Sequence, residues 1–72
     1  MEELARDLQF VLKDFWGCTV EPGIEDVLVY RDNDLITTYL AETIFVFAKV
    51  RSLRCYIDVS ISGHLRFVIY KD

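Results

Sequence analysis

The segment LITTYLAETIFVFAKVRS, residues 35–52, decides the fold, because its composition and its periodicity point to different structures. Thr43, Ile44, Phe45, Val46, Phe47 and Val50 are residue types that favour strands. On a wheel of 3.6 residues per turn, Leu35, Ile36, Tyr39, Leu40, Thr43, Ile44, Val46, Phe47 and Val50 nevertheless fill one half. Asp34, Thr37, Thr38, Ala41, Glu42, Lys49 and Ser52 lie opposite, and Phe45 is the one large apolar residue out of place. Read as a strand, the same residues set Lys49 and Arg51 in phase with Phe45 and Phe47, which is a worse partition. Burial of a whole face contributes more than the fraction of a kcal/mol that propensity offers per residue. Periodicity therefore predicts a helix over residues 34–50.

Downstream, LRCYIDVSI and LRFVIYK alternate with period two, as strands with one buried face do. Leu53, Cys55, Ile57, Val59 and Ile61 take the inner face of the first run, and Leu65, Phe67 and Ile69 that of the second. The expected register pairs Ile61 with Leu65, Val59 with Phe67 and Ile57 with Ile69. It closes through a three-residue loop, or through two residues and a bulge at Gly63 or His64. On the outer face this register sets Tyr56 opposite Tyr70, Asp58 opposite Val68 and Ser60 opposite Arg66, with Asp58 and Arg66 as diagonal neighbours.

Upstream, Leu4, Leu8, Val11, Leu12 and Phe15 make one stripe of an amphipathic helix over residues 2–16, with Gly17 as its left-handed stop. Phe10 points away from that stripe, flanked by Glu3, Asp7 and Asp14. Residues 18–20 read as a short extended piece, Glu21-Pro22-Gly23 as a turn, and residues 25–31 as a strand whose two faces both want cover. Asp32-Asn33-Asp34 suits either a hairpin turn or a helix N-cap. The expected fold is a small two-layer α+β domain over residues 1–72, order α-β-α-β-β, with a C-terminal antiparallel hairpin and both helices on one sheet face. The alternative, if residues 35–52 are strands, is an N-terminal helix on a four- or five-stranded antiparallel meander.

A chain of 72 residues buries only roughly 60% of its unfolded surface, yet 53% of these residues are hydrophobic, 14% are aromatic and the mean hydropathy is +0.23. That excess predicts a homodimer or a permanent protein partner that hides what the core cannot. Only two cysteines, Cys18 and Cys55, occur, and MEELARDL has neither the basic region nor the apolar core of a signal peptide. The expectation is a cytoplasmic protein with both thiols unbridged and no membrane span. A net charge of −4 argues against a protein that grips nucleic-acid phosphates and fits one that binds a basic surface.

No nucleophile and base constellation, glycine-rich phosphate loop or metal-ligand spacing is present, and His64 is the single histidine. No enzyme activity, cofactor or metal is expected. Glu2-Glu3, Glu25-Asp26 and Asp32 with Asp34 read as caps and turns, lacking the ligand spacing of a calcium loop. What remains is surface. Tyr56, Tyr70 and Val68 beside Arg54, Arg66 and Asp58 form the candidate interface on the open sheet face, aromatic residues with arginine being enriched where interface energy concentrates. Phe10 with Glu3, Asp7 and Asp14, and the off-stripe Phe45, form the second candidate. In size and charge the chain is similar to the small acidic accessory proteins of phages and mobile elements. That likeness implies a stoichiometric inhibitor which occupies a surface on a nucleic-acid-handling complex. The expected function is thus a non-catalytic protein-binding module, dimeric through the sheet face. The competing reading is a single-stranded nucleic-acid module that stacks bases on the same aromatics.

Overall fold

The computed structural model describes all 72 residues. Two helices, α1 (Glu2–Val11) and α2 (Thr38–Val50), and four strands, β1 (Cys18–Pro22), β2 (Asp26–Arg31), β3 (Arg54–Val59) and β4 (Leu65–Tyr70), follow one another as α1-β1-β2-α2-β3-β4. The strands form one antiparallel sheet in the order β1-β2-β4-β3. This is the small α+β fold with a C-terminal hairpin that periodicity predicts, and the helical α2 excludes the meander. The short extended piece after Gly17 becomes a full strand, so the sheet gains β1 at its edge.

Both helices cover one sheet face. Ala5, Leu8 and Leu12 from the first helix and Leu40, Ile44, Phe47 and Ala48 from the second join Val20, Val27, Val29, Phe67 and Ile69 in one buried cluster. The strand members share one phase across the register, since Val20 faces Val29, Val29 faces Phe67 and Val27 faces Ile69. Each fully buried large side chain contributes roughly 1.5–3 kcal/mol, which is how Leu40, Ile44 and Phe47 outweigh the strand propensity of their segment.

Both helices are shorter than expected. The first ends at Val11, not at residue 16, and the chain then closes through turns in which Lys13 N–H donates to the Phe10 carbonyl and Phe15 N–H to the Leu12 carbonyl. Gly17 is left-handed at φ +74°, but it ends this turn region, where its carbonyl accepts the Asp32 N–H at 2.9 Å. The second helix starts after Thr37, whose Oγ1 accepts the Leu40 N–H at 3.1 Å. Asp32–Asp34 form a separate 3-10 turn with Asn33 and Asp34 left-handed at φ 61° and 51°, a conformation that Asn and Asp tolerate better than most residues. Residues 34–37 are therefore a connection rather than a first helical turn.

The hairpin register is shifted by two residues from the expected one. Val59 faces Leu65, Ile57 faces Phe67 and Cys55 faces Ile69. Inner and outer faces survive, because a shift of two preserves the pleat. The cause is Gly63 at φ +87°: it takes the left-handed third position of an Ile61-Ser62-Gly63 loop, with Gly63 N–H donating to the Ser60 carbonyl and Ser60 N–H to the His64 carbonyl. Ile61, expected in the core, stands at the loop tip fully exposed. Asp58 now lies directly opposite Arg66, and Arg66 Nε donates to Asp58 Oδ1 at 2.6 Å.

Cys18 and Cys55 lie on opposite edge strands of the sheet. Three inter-strand steps alone put at least about 14 Å between them, twice the Cα separation a disulfide spans, and the register displaces Cys55 a further four residues along its strand. Both thiols are free.

Candidate protein-binding surfaces

The outer sheet face is more self-contained than its sequence implies. Val68 is only 4% exposed, flanked by Tyr56 on one neighbouring strand and Leu28 on the other. Tyr56 and Tyr70, diagonal rather than opposite, stack edge to face with ring centroids 5.6 Å apart. Arg66 is held by Asp58 and reaches the Tyr30 hydroxyl at 3.5 Å, hydrogen bonds that push its pKa up. Arg54 donates to Asp72 Oδ2 at 2.9 Å, and that bond raises its pKa. The structure thus brings Tyr56, Tyr70, Val68, Arg66 and Asp58 together on one face, with Arg54 at its margin, but largely satisfies them there.

The helical layer is different. Phe10 is exposed, with Lys13 Nζ 4.3 Å from its ring centroid, and Glu3, Asp7 and Asp14 are exposed on the same helix and the turn after it. Phe45 sits on the opposite flank of α2 and packs edge to face on Phe67 at 6.0 Å, so the core claims much of it. The largest displacement from expectation concerns residues the wheel had placed inside. Tyr39, Val46 and Val50 are 72%, 57% and 73% exposed, and Val11 of the first helix is 39% exposed.

These four side chains share one groove between the helices. One part, of about 410 Å³, is lined by Val11, Tyr39, Val46 and Val50, with Phe47 as floor and Glu42, Thr43 and Arg51 at the rim. It continues past Val11, Tyr39 and Thr43 into a depression of about 550 Å³ toward Phe15, Asp14, Thr37 and Arg31. The walls are braced. Tyr39 leans on Phe15 with centroids 5.2 Å apart, and the Arg51 guanidinium lies 3.7 Å from the Phe47 centroid while donating to the Phe47 carbonyl at 3.1 Å. Arg31 is engaged from within the fold, donating to the Trp16 carbonyl at 2.8 Å.

A signal for this groove was present in the sequence. From Val46 round to Ala48 the apolar arc of α2 spans roughly 200°, whereas a surface helix on one sheet face covers about 100°. The sheet takes the Leu40, Ile44, Phe47 and Ala48 side of that arc, and the rest has no cover within the chain.

A second, more polar depression of about 410 Å³ gathers Trp16, Tyr30, Arg31, Asp32, Asn33, Asp34 and His64. Two of its polar side chains serve the loop: Asp34 Oδ1 accepts the Leu65 N–H at 3.1 Å and lies 3.5 Å from His64 Nδ1. Burial pushes the Cys55 thiol up to about 11, and it raises Cys18 as well, against the pull of Arg31. Neither thiol is poised as a nucleophile. No helix is long and apolar enough to cross a membrane. No protein-family model matches the chain, and comparisons with curated proteins and with solved structures find no match.

Proposed function

We propose that this chain is a non-catalytic protein-binding module that acts stoichiometrically, seating an apolar-anchored segment of a target protein in the groove between α1 and α2. The observation that carries this reading is the row of Val11, Tyr39, Val46 and Val50, apolar side chains that line one groove and stay exposed to solvent. Exposed apolar side chains clustered in a groove, rather than scattered singly, mark interaction sites. Charge at the groove margins is balanced, Glu42 with Arg51 in one part and Asp14 with Arg31 in the other, so the apolar row is what selects the segment. The complementary segment therefore carries aliphatic or aromatic anchors at helical spacing.

The outer sheet face is a weaker seat, because its Val68 is covered and its two arginines are paired with carboxylates. The same pairing leaves those arginines occupied with Asp58 and Asp72 rather than free for phosphate, which disfavours the single-stranded nucleic-acid reading.

A displayed peptide library selected on the immobilised chain tests the proposal. Enriched peptides are expected to show apolar anchors three and four positions apart, to bind the Tyr56→Ser variant unchanged, and to lose at least tenfold in affinity for Val46→Glu. Peptides that bind Val46→Glu as well as wild type, but fail on Tyr56→Ser, would return the target site to the sheet.

A further inference from the structure

The two edges of the sheet are not alike. At one edge β1 is five residues long and ends on Pro22, which has no N–H to donate, so this edge is a poor template for another strand. At the other edge β3 runs for six residues without proline or bulge.

The hairpin fixes which main-chain groups of β3 face outward. Ser60 N–H donates to the His64 carbonyl at 2.8 Å, so Ser60 and the alternate residues Asp58, Tyr56 and Arg54 turn their N–H and C=O groups toward β4. Cys55, Ile57 and Val59 turn theirs out to the open edge. The same alternation appears on the facing strand, where Leu65, paired with Val59, sends its N–H away from the hairpin partner to Asp34 at 3.1 Å. Beside this edge, on the helical face, Ile57 and Val59 are 40% and 60% exposed.

We propose that this edge is the contact of a two-fold homodimer, in which β3 pairs antiparallel with β3 of a second copy across Tyr56 and the two sheets become one. Outward groups must meet outward groups, so Cys55 lies opposite Ile57 of the second copy, and Ile57 opposite its Cys55. Tyr56 then meets Tyr56 across the axis. Arg54 falls opposite Asp58 of the second copy, and the symmetry repeats that pair, so the pairs within each copy, Arg66 with Asp58 and Arg54 with Asp72, join into one row of alternating charge. The strand is thus complementary to itself in charge, which is the argument for a second copy over a foreign strand. Moving the axis to Ile57 sets Arg54 opposite Ser60 and Tyr56 opposite Asp58, and both ion pairs are lost. On the inner side Val59 comes to lie opposite Leu53 of the second copy, covering apolar surface that the helices leave open.

Cysteine placement reads the register directly. In a Cys18→Ser, Cys55→Ser background, Tyr56→Cys puts two thiols in a close non-hydrogen-bonded pair with Cα atoms about 4.5 Å apart, within disulfide reach. Val59→Cys puts its two thiols roughly 20 Å apart along the strands. Under mild oxidant the Tyr56→Cys variant is expected to convert to a covalent dimer and the Val59→Cys variant to remain uncrosslinked. In sedimentation equilibrium at high micromolar concentration the wild type is expected to be dimeric, and Val59→Lys, altered at an exposed position, to be a monomer with the wild-type circular dichroism spectrum. A wild type that is monomeric throughout, or a Tyr56→Cys variant that stays monomeric under oxidant, overturns the proposal.

Discussion

Asp34 joins two parts of the chain that are distant in sequence, and replacing it tests how the C-terminal hairpin is tied to the rest. Its Oδ1 accepts the Leu65 N–H at 3.1 Å, and its own backbone is left-handed at φ 51°. The Asp34→Ala variant loses on both counts. An N–H left without its acceptor in a half-buried place costs about 1–3 kcal/mol, and a left-handed alanine adds roughly 1–2 kcal/mol. A total near 2–5 kcal/mol is large against the roughly 4–11 kcal/mol that a chain of 72 residues holds in all. Asp34→Asn keeps an acceptor oxygen and a residue at home in the left-handed region, so it is expected to unfold within about 0.5 kcal/mol of wild type, as mild substitutions do. Asp34→Gly lacks the acceptor but not the conformation and is expected to fall between them. Urea titration followed by circular dichroism measures the series, with a common slope confirming that only stability has changed. The reasoning is refuted if Asn proves as damaging as Ala, or if Ala matches wild type.

Two further outcomes follow from local geometry. Thr37→Ala removes the hydroxyl that caps α2 and is expected to cost about 1 kcal/mol in the same titration, with Thr37→Asn close to wild type. The Cys55 thiol, held up to about 11 by burial against an ordinary value of 9.0, keeps its proton in the folded chain where the unfolded chain has released it. The folded state thus binds more protons in that window, so stability is expected to fall as pH rises from about 9 to about 11, and Cys55→Ala to show a shallower fall.

How far the fold was legible depended on whether a pattern answered to one constraint or to two. Period-two alternation in the hairpin answered to one, the buried face, and Phe67 and Ile69 are where it put them. Register answered also to the turn, and there Gly63 decided: a left-handed third loop position outranked the closure that kept Ile61 inside. In α2 the existence of the helix was legible from the wheel, but its buried width was not. A wheel records what is apolar, and the opposing layer determines how much of it is covered. Phe45 shows the same limit from the other side, since an off-stripe position still found Phe67 to pack on. The aromatic sheet face was legible as residues and misleading as chemistry, because Arg66 and Asp58 were expected as diagonal neighbours and are instead a direct pair at 2.6 Å.

The groove and the open strand edge lie on opposite flanks of α2. This helix packs over the β3 side of the sheet while α1 packs over β1, so the side of α2 lined by Tyr39, Val46 and Val50 looks toward α1 and away from the β3 edge. A dimer joined through β3 would therefore leave both grooves open, one on each copy. Two seats on one rigid sheet engage a repeated or multimeric target with an effective concentration set by their spacing, and affinity rises without any new contact. Occupying a groove and pairing an edge are separable on this arrangement: Val46→Glu is expected to spare the dimer, and Val59→Lys to keep single-site affinity for a peptide while losing the gain from bivalence. Loss of single-site peptide affinity in Val59→Lys would mean that the two surfaces are coupled through α2, the one element they share.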